Sequence, residues 1–260
     1  MVGAFSRKAG KALRTALIVT GGIVALAAPI NGAQAQPEKV IELFTSQGCS
    51  SCPPADRLAE KLVQEDNNVL TMVMPVDYWD YLGWKDTLGS KSNSKRQYEY
   101  AEGLKRRGVY TPQAVINGQS HTNGGRYDEI SDSLARDDAQ GHGLTVGMTL
   151  TDLGDRMRVT AEGAPKDGST VHIVLVYFRR HADVAIERGE NSGKTITYVN
   201  AVLDYQTIGM WEGEGLTVDI PHSELAAKEA DGCAVLLQKA TDGGHPGAII
   251  GAAILPRQTT

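Results

Sequence analysis

The sequence predicts an α/β domain followed by an all-β domain, behind a removable leader. Three observations carry this. Strand-like and helix-like segments alternate between residues 40 and 139. Seven short β-type segments then follow a change of composition at "QGHG" (140–143). Ahead of both, "MVGAFSRKAGKALR" carries four positive charges and no acid, and the apolar "TALIVTGGIVALAAPI" leads to Ala-Gln-Ala at 33–35. That order is the order of a secretory signal peptide, and the apolar run falls short of the roughly 20 residues of a membrane span. Residues 1–35 are therefore expected to be removed. The remainder is expected to be periplasmic or secreted, with no stable membrane insertion, and to divide into domains at 36–140 and 141–260. No cysteine lies near the cleavage site, which argues against a lipoprotein, and Arg7-Lys8 is not a twin-arginine pair.

The first domain opens with "VIELF" (40–44), a β-branched and apolar strand. "PPADRLAEKLVQED" (53–66) places Leu58, Leu62 and Val63 at helical spacing, and "VLTMVMPVD" (69–77) reads as a buried parallel strand. Strand, helix, strand implies a right-handed crossover, with "TSQGCSSCPPAD" at the carboxyl end of the first strand. Sites of open α/β sheets gather at that end. "SNSKRQYEYAEGLKRRG" predicts an amphipathic helix stopped by Gly108, "VYTPQAVINGQSH" a strand and an Asn-Gly hairpin turn, and residues 126–139 a helix. From Leu144 the seven segments from "LTVGMTL" to "AIIGAAIL" predict a β-sandwich or related fold, with one brief helix at "HSELAAKEA" (222–230).

Charge excludes one class of function. The formal charge of −5 becomes −9 once the leader, with its four Lys and Arg, is removed. An acidic surface repels phosphate backbones, so nucleic acid is not an expected partner. Lys105-Arg106-Arg107 reads as a solvated helix end. The three cysteines are too few for a disulfide-stapled scaffold, and in an oxidising compartment an adjacent pair leans toward chemistry.

Cys49 and Cys52 stand two residues apart, so the second sulfur can reach the first and resolve a mixed disulfide. A helix N-terminus lowers a thiol pKa through unpaired N–H groups and the helix dipole. The two prolines locate that terminus. With Cys52 as N-cap, Pro53 takes the first helical position, where proline is favoured, and Asp56 lies in the acid-preferring first turn. Regular helix should then begin near Cys52 or Pro53, leaving Cys49 in a turn that aims its sulfur outward. Further from the dipole than the cap, Cys49 should be less acidified. Pro53 after the second cysteine excludes haem attachment. Copper(I) between the two thiolates and His121, and a purely bracing disulfide, remain open at this point.

"VIELFTSQGCSSCPPAD", followed some sixty residues later by "VYTPQAVINGQ", resembles the thioredoxin-like superfamily. The resemblance implies Cys49 as attacking thiol, Cys52 as resolving thiol, and Thr111-Pro112 as a cis peptide that presents backbone to an extended substrate. Together with "VDYWDYLGWKD" and "RGENSGKTITYVNAV", these stretches also look like a family of secreted bacterial thioredoxin-like proteins of unknown function, over essentially the whole chain after the leader. The fold class implied is an α/β thioredoxin-like domain followed by an all-β sandwich-like domain. Two departures stand out. Leu43 occupies the place of the buried acid of thioredoxins, with Glu42 one residue out of register, and Gly48 replaces the tryptophan before the first cysteine. These departures point away from a general reductant.

Other candidates have a structural and a functional reading. Tyr78, Trp79, Tyr81 and Trp84 could wall a substrate site near the cysteines or pack the following helix. Asp77 and Asp80 alone are a poor cation site. Cys233 heads an apolar strand as an inert core thiol or a mixed-disulfide partner. Arg188, Glu190, Asn191 and Lys194 form a polar hairpin loop or a partner surface. The reading assembled from these residues is an exported thiol–disulfide oxidoreductase acting on a protein or small-thiol partner. Cys49 and Cys52 are catalytic, and Thr111, Pro112, Tyr78 and Trp79 face the substrate. It implies no cofactor and assigns no metal. The alternative is a non-catalytic binding protein that holds copper or a protein ligand.

Overall fold

The first strand, β1 (Lys39–Thr45), and the strand β2 (Val69–Pro75) pair in parallel, Leu43 opposite Val73, and the helix α1 (Pro53–Glu65) makes the crossover. This computed structural model describes residues 36–256 apart from 164, 166 and 214, so the leader read at residues 1–35 lies outside the described residues. A short 3-10 turn (Asp80–Leu82) and the helix α2 (Lys91–Gly103) lead to the hairpin β3 (Gln113–Ile116) and β4 (Ser120–Asn123), then to the helix α3 (Tyr127–Ala139). The hairpin turns at Asn117 (φ 49°) and Gly118 (φ 68°), the two positive φ values a type I′ turn requires. A side chain at Gly118 would also strike the Gly247 carbonyl. α2 ends five residues before Gly108, where Lys105 turns left-handed and the Arg106 N–H bonds the Ala101 carbonyl at 2.7 Å.

The second half contains β5 (Gly147–Asp152), β6 (Arg156–Glu162), β7 (Val171–Ala185), β8 (Thr195–Trp211), β9 (Leu216–Pro221), the short helix α4 (Ser223–Ala227), β10 (Gly232–Ala240) and β11 (Pro246–Ile254). The seven predicted strands are present, but their arrangement overturns the predicted fold class. There is no thioredoxin-like α/β domain followed by a separate sandwich. One mixed sheet runs in the order β11-β10-β7-β8-β2-β1-β3-β4, and only β5-β6-β9 form a second, three-stranded sheet.

The physical reason lies at β2. Its side chains are buried along the whole strand, and its outer edge is taken by β8 in parallel, Val73 opposite Ala201. The change of composition at 140 marks where helices stop covering the sheet, not where the sheet ends. β5 and β6 alternate buried and open residues, as strands with one covered face do, whereas the first half of β7 (171–178) and most of β10 are buried almost continuously because both faces are covered. On one face Met148, Val159, Leu175 and Val235 pack the small sheet against the large one. On the other, Phe44, Met72 and Tyr100 share a core with Val176, Phe178 and Leu236. Residues from both halves therefore build the same core.

Glu42 and Arg96 lock this shared core. Both are buried, and the Arg96 Nε donates to Glu42 Oε1 at 2.6 Å and Nη2 to Oε2 at 3.2 Å. Nη2 also donates to the Tyr100 hydroxyl and to Gln238 Oε1 at 2.8 Å, and the guanidinium lies about 5 Å from the ring centres of Tyr100 and Tyr205. Strand β1, helix α2 and strands β8 and β10 meet at one ion pair. Removing one partner of a buried pair leaves an uncompensated charge. Arg96→Ala is therefore expected to lower the unfolding free energy in a urea titration by about 3–5 kcal/mol; an unchanged midpoint would show the pair to be dispensable.

Candidate active site

The cysteine turn forms because Thr45 ends β1 and the chain doubles back immediately. The Cys49 N–H bonds the Ser46 carbonyl at 3.1 Å and the Cys52 N–H bonds the Cys49 carbonyl at 3.2 Å. Cys52 caps α1, with Pro53 and Pro54 in the first two positions, as the prolines predict. Cys49 and Cys52 form a disulfide with their Cα atoms 5.4 Å apart. The sulfur of Cys49 is not turned outward as predicted: the residue is 3% exposed and Cys52 fully buried, while Ser50 and Ser51 cover the turn. Ser51 Oγ lies 3.4 Å from Cys49 Sγ.

Three groups hold the turn from behind. The Asp86 carboxylate accepts from the Gln47 N–H (2.7 Å), Ser46 Oγ (3.2 Å), and the Leu88 and Gly89 N–H groups (2.9 and 2.8 Å). The Gln47 side-chain oxygen accepts from Trp84 Nε1 at 2.7 Å. Asn191, at the tip of the long β7–β8 hairpin, is fully buried and donates Nδ2 to the carbonyls of both Gln47 and Cys49 at 2.9 Å, while its Oδ1 accepts from Lys194 at 2.8 Å. Within the polar loop that carries Arg188, Glu190, Asn191 and Lys194, Asn191 thus faces inward to the cysteines, while Arg188 and Glu190 stay exposed. Gly48 is needed because Trp79 crosses directly over it: a Cβ there would sit 3.1 Å from Trp79 Cβ and 3.2 Å from its carbonyl oxygen.

The Thr111–Pro112 peptide is cis, and it borders this turn. The Thr111 carbonyl lies 3.5 Å from Ser51 Oγ. Gly125 separates Pro112 from the start of α1, since a Cβ on it would meet Pro112 Cγ at 3.6 Å and the Ala55 nitrogen at 4.0 Å. Trp79 Nε1 donates to Thr111 Oγ1 at 2.8 Å, and the Tyr78 hydroxyl donates to Gln97 at 3.0 Å. Tyr98, Tyr78, Trp79 and Tyr81 follow one another at ring distances of 6.2, 5.9 and 6.2 Å. The two ends of this aromatic row are open, Tyr81 at 76% and Tyr98 at 50% exposure. The structure therefore brings Cys49, Cys52, Thr111, Pro112, Tyr78 and Trp79 into one region.

The sequence reading missed a buried acid. Asp56, taken there as a first-turn helix residue, is 1% exposed on the face of α1 that carries Ala55, Ala59 and Leu62. Thr45 Oγ1 donates to its Oδ1 at 2.8 Å, and Oδ2 is buried without a partner among the described residues. Burial first, and the Asp86 charge after it, push its pKa up to about 8 against the pull of the Thr45 bond and Arg57. Burial pushes the Asp86 carboxyl up too, but its four donors favour the ionised form. The Tyr198 hydroxyl on β8 is buried without a partner among the described residues, and burial first, then the Asp56 and Asp86 carboxyls, push its pKa up. The signal in the sequence was a carboxyl at position 56 inside the apolar stripe of the helix.

The remaining candidates have partners of their own. Cys233 is fully buried, its Sγ 3.4 Å from Met157 Sδ, and burial raises its thiol to about 12, as suits an inert core residue. The ring nitrogens of His121 lie 3.0 Å from the Tyr110 hydroxyl and 2.5 Å from Arg106. Asp77 accepts from Ser94 at 2.5 Å and Asp80 from the Asp86 N–H at 2.9 Å. Among the described residues no three His, Cys, Asp or Glu side chains group as metal ligands, and no helix is long and apolar enough to cross a membrane.

Fold and site together define a β-rich protein whose Cys-x-x-Cys disulfide opens a helix beside a cis X-Pro peptide. The chain belongs to the family described as Protein of unknown function (DUF1223), whose model matches residues 40–238. It is similar to a protein from Agrobacterium tumefaciens of known crystal structure, at 42% identity and a TM-score of 0.78 over 88% of this chain and 98% of that one. It shares its fold with HBP35 of Porphyromonas gingivalis, at 13% identity and a TM-score of 0.56 over 88% and 79% of the two chains. No curated protein matches it.

Two predictions follow from this geometry. Asn191→Ala strips two bonds from buried carbonyls and is expected to cost about 1–3 kcal/mol and to speed reduction of the disulfide by a small thiol; equal rates would show the clamp to be irrelevant to access. Asp56 is protonated in the folded chain over a pH range where the unfolded chain has released its proton. The folded state therefore loses stability as pH rises from the ordinary carboxylate range through about 8. Asp56→Asn, which has no proton to lose, should melt higher than wild type at alkaline pH and close to it in acid. Parallel melting curves at all pH values would contradict this.

Proposed function

We propose that the protein is an exported thiol–disulfide oxidoreductase acting on a protein or small-thiol partner. The observation that carries the reading is the Cys49–Cys52 disulfide at the start of α1 with the Thr111 carbonyl 3.5 Å from Ser51 Oγ. A partner thiolate attacks Cys49, the less deeply buried of the two cysteines, and the Cys49–Cys52 bond breaks with Cys52 as leaving group. In the reverse direction Cys52 resolves the mixed disulfide. Thr111-Pro112 orients the partner backbone, and Tyr78 and Trp79 flank it. Assignment to the thioredoxin superfamily belongs to this proposal and rests on the likeness of "VIELFTSQGCSSCPPAD" and "VYTPQAVINGQ". Export rests on the basic, apolar and small-residue order of residues 1–35.

The 3% exposure of Cys49 limits attack to small thiols or to a segment seated against Ser50 and Ser51. A partner-specific exchange fits this better than general reduction. The same burial, with the Asn191 clamp, favours a second reading in which the disulfide braces a non-catalytic binding protein.

Replacing the resolving thiol separates the two. Cys52→Ser, expressed with its leader in a cell that oxidises exported thiols, is expected to accumulate a mixed disulfide on Cys49 that a reductant releases. Cys49→Ser should trap much less. No reductant-sensitive adduct on Cys52→Ser, with the fold intact by circular dichroism, would favour the bracing disulfide.

A further inference from the structure

We infer that the exposed basic run Lys105-Arg106-Arg107 and the aromatic row from Tyr98 to Tyr81 form the docking surface for an acidic peptide segment of the redox partner. This names the partner chemistry for the exchange reading above and rests on that reading for its use, though the binding can be measured without any exchange.

The run is the one stretch of three consecutive cations in a chain of formal charge −5. The sequence reads it as a solvated helix end, but α2 stops at Gly103. The three residues lie in the loop that leads to Tyr110 and the Thr111–Pro112 peptide, and all three are exposed. A cation just past a helix C-terminus offsets the dipole, which accounts for Lys105 but not for Arg106 and Arg107. The acids of the neighbouring elements are engaged elsewhere: Glu99 with Lys95 at 3.2 Å, Glu102 with His245 at 3.1 Å, and Glu129 with Arg126 at 2.9 Å. Asp77 and Asp80, beside the row, accept from Ser94 and from the Asp86 N–H. Among the described residues, therefore, no carboxylate pairs with the run.

Arg106 ties the run to the site. Its guanidinium lies 5.2 Å from the Tyr110 ring centre, and its Nη1 lies 2.5 Å from His121 Nε2. Burial first, and Arg106 after it, lower the His121 pKa, so one cation stands beside one neutral ring. The Tyr110 carbonyl accepts from Gln97 Nε2 at 2.8 Å, and Gln97 Oε1 accepts the Tyr78 hydroxyl of the row at 3.0 Å. The next residue, Thr111, reaches both the cysteine turn and the row. Its carbonyl lies 3.5 Å from Ser51 Oγ, and its hydroxyl accepts the Trp79 indole N–H at 2.8 Å. Contacts through Tyr110 and Thr111 thus join the run, the row and the disulfide.

The charge of the run selects an acidic occupant. The row, open at Tyr81 and Tyr98, selects one that offers apolar and backbone surface as well, because exposed aromatic side chains anchor peptide segments through ring area and hydroxyls. A long polyanion such as nucleic acid would carry its phosphates across the rest of an acidic surface and be repelled. A short acidic segment meets the run alone. Opposite charge at the run also steers such a segment toward Ser50 and Ser51 during encounter, and it discriminates against a basic partner.

The test measures binding apart from exchange. Dye-labelled peptides with a central serine in place of cysteine, flanked by glutamates, glutamines or lysines, are titrated with the full chain and followed by fluorescence anisotropy. The glutamate peptide should bind tightest, although the net charge of the chain favours the lysine peptide. Its affinity should fall by at least about tenfold between about 0.01 and 0.15 M salt. Lys105→Glu with Arg107→Glu, both at exposed positions, should weaken the glutamate peptide by at least about tenfold and strengthen the lysine peptide. Lys61→Glu, a charge reversal on α1, should leave both near wild type. Tyr81→Ser with Tyr98→Ser should weaken the glutamate and glutamine peptides alike. Equal affinities for the three peptides, or a charge-reversed chain that binds the glutamate peptide like wild type, would overturn the inference. So would an oligonucleotide of equal length that binds at least as tightly, and binding unmoved by loss of both tyrosines would remove the row from the surface. A charge preference with no adduct on Cys52→Ser rejects the exchange reading alone. An adduct with no charge preference rejects the docking surface alone.

Discussion

Asn191 donates both hydrogens of its buried amide to the carbonyls of Gln47 and Cys49, residues 144 and 142 positions away. Through these two bonds the second half of the chain fixes the geometry of the cysteine turn. The requirement explains why β7 and β8 are far longer than the other strands. Their outer ends leave the sheet core and carry the hairpin tip across to the turn, where Ile186 and Ile196 join the cluster around α1. It also explains the continuous sheet, because an arm anchored in a separate domain would not hold a carbonyl to hydrogen-bond precision.

The site then sorts its two buried carboxyls by their donors. Asp86 receives four hydrogen bonds and acts as an anchor for the loops on either side. Asp56 receives one and keeps its proton to about pH 8. Two acids of the same type differ because one accepts from three N–H groups and a hydroxyl and the other from a single hydroxyl.

Much of the local structure was legible in the sequence. The Asn-Gly hairpin, the helix start set by Pro53 and the seven late strands follow from short-range chemistry, whereas the cis Thr111-Pro112 peptide was implied by the family resemblance alone. The sheet order did not, because it depends on which edge of β2 remains open, and no local pattern states that. The continuous apolar character of "VHIVLVYF" and "CAVLLQ" against the alternation of "MRVTAEG" was the available sign that β7 and β10 lie inside a doubly covered sheet. Asn191 looked like surface because a buried amide and an exposed one have the same sequence. Asp56 was hidden by a good alternative explanation, since first-turn acids are common; its place in the apolar stripe distinguished it. The burial of Cys49 arises from Trp79 over Gly48 and from the distant hairpin, and neither contact is local.

The reduction potential of the Cys49–Cys52 pair tests the account most directly. Equilibrating the folded chain with glutathione or dithiothreitol buffers and counting free thiols gives the value. A site built for exchange should titrate above about −300 mV, in the range of catalytic thiol pairs. A pair that stays oxidised throughout, with a potential below about −300 mV as structural disulfides have, would contradict the account and leave the disulfide as a brace.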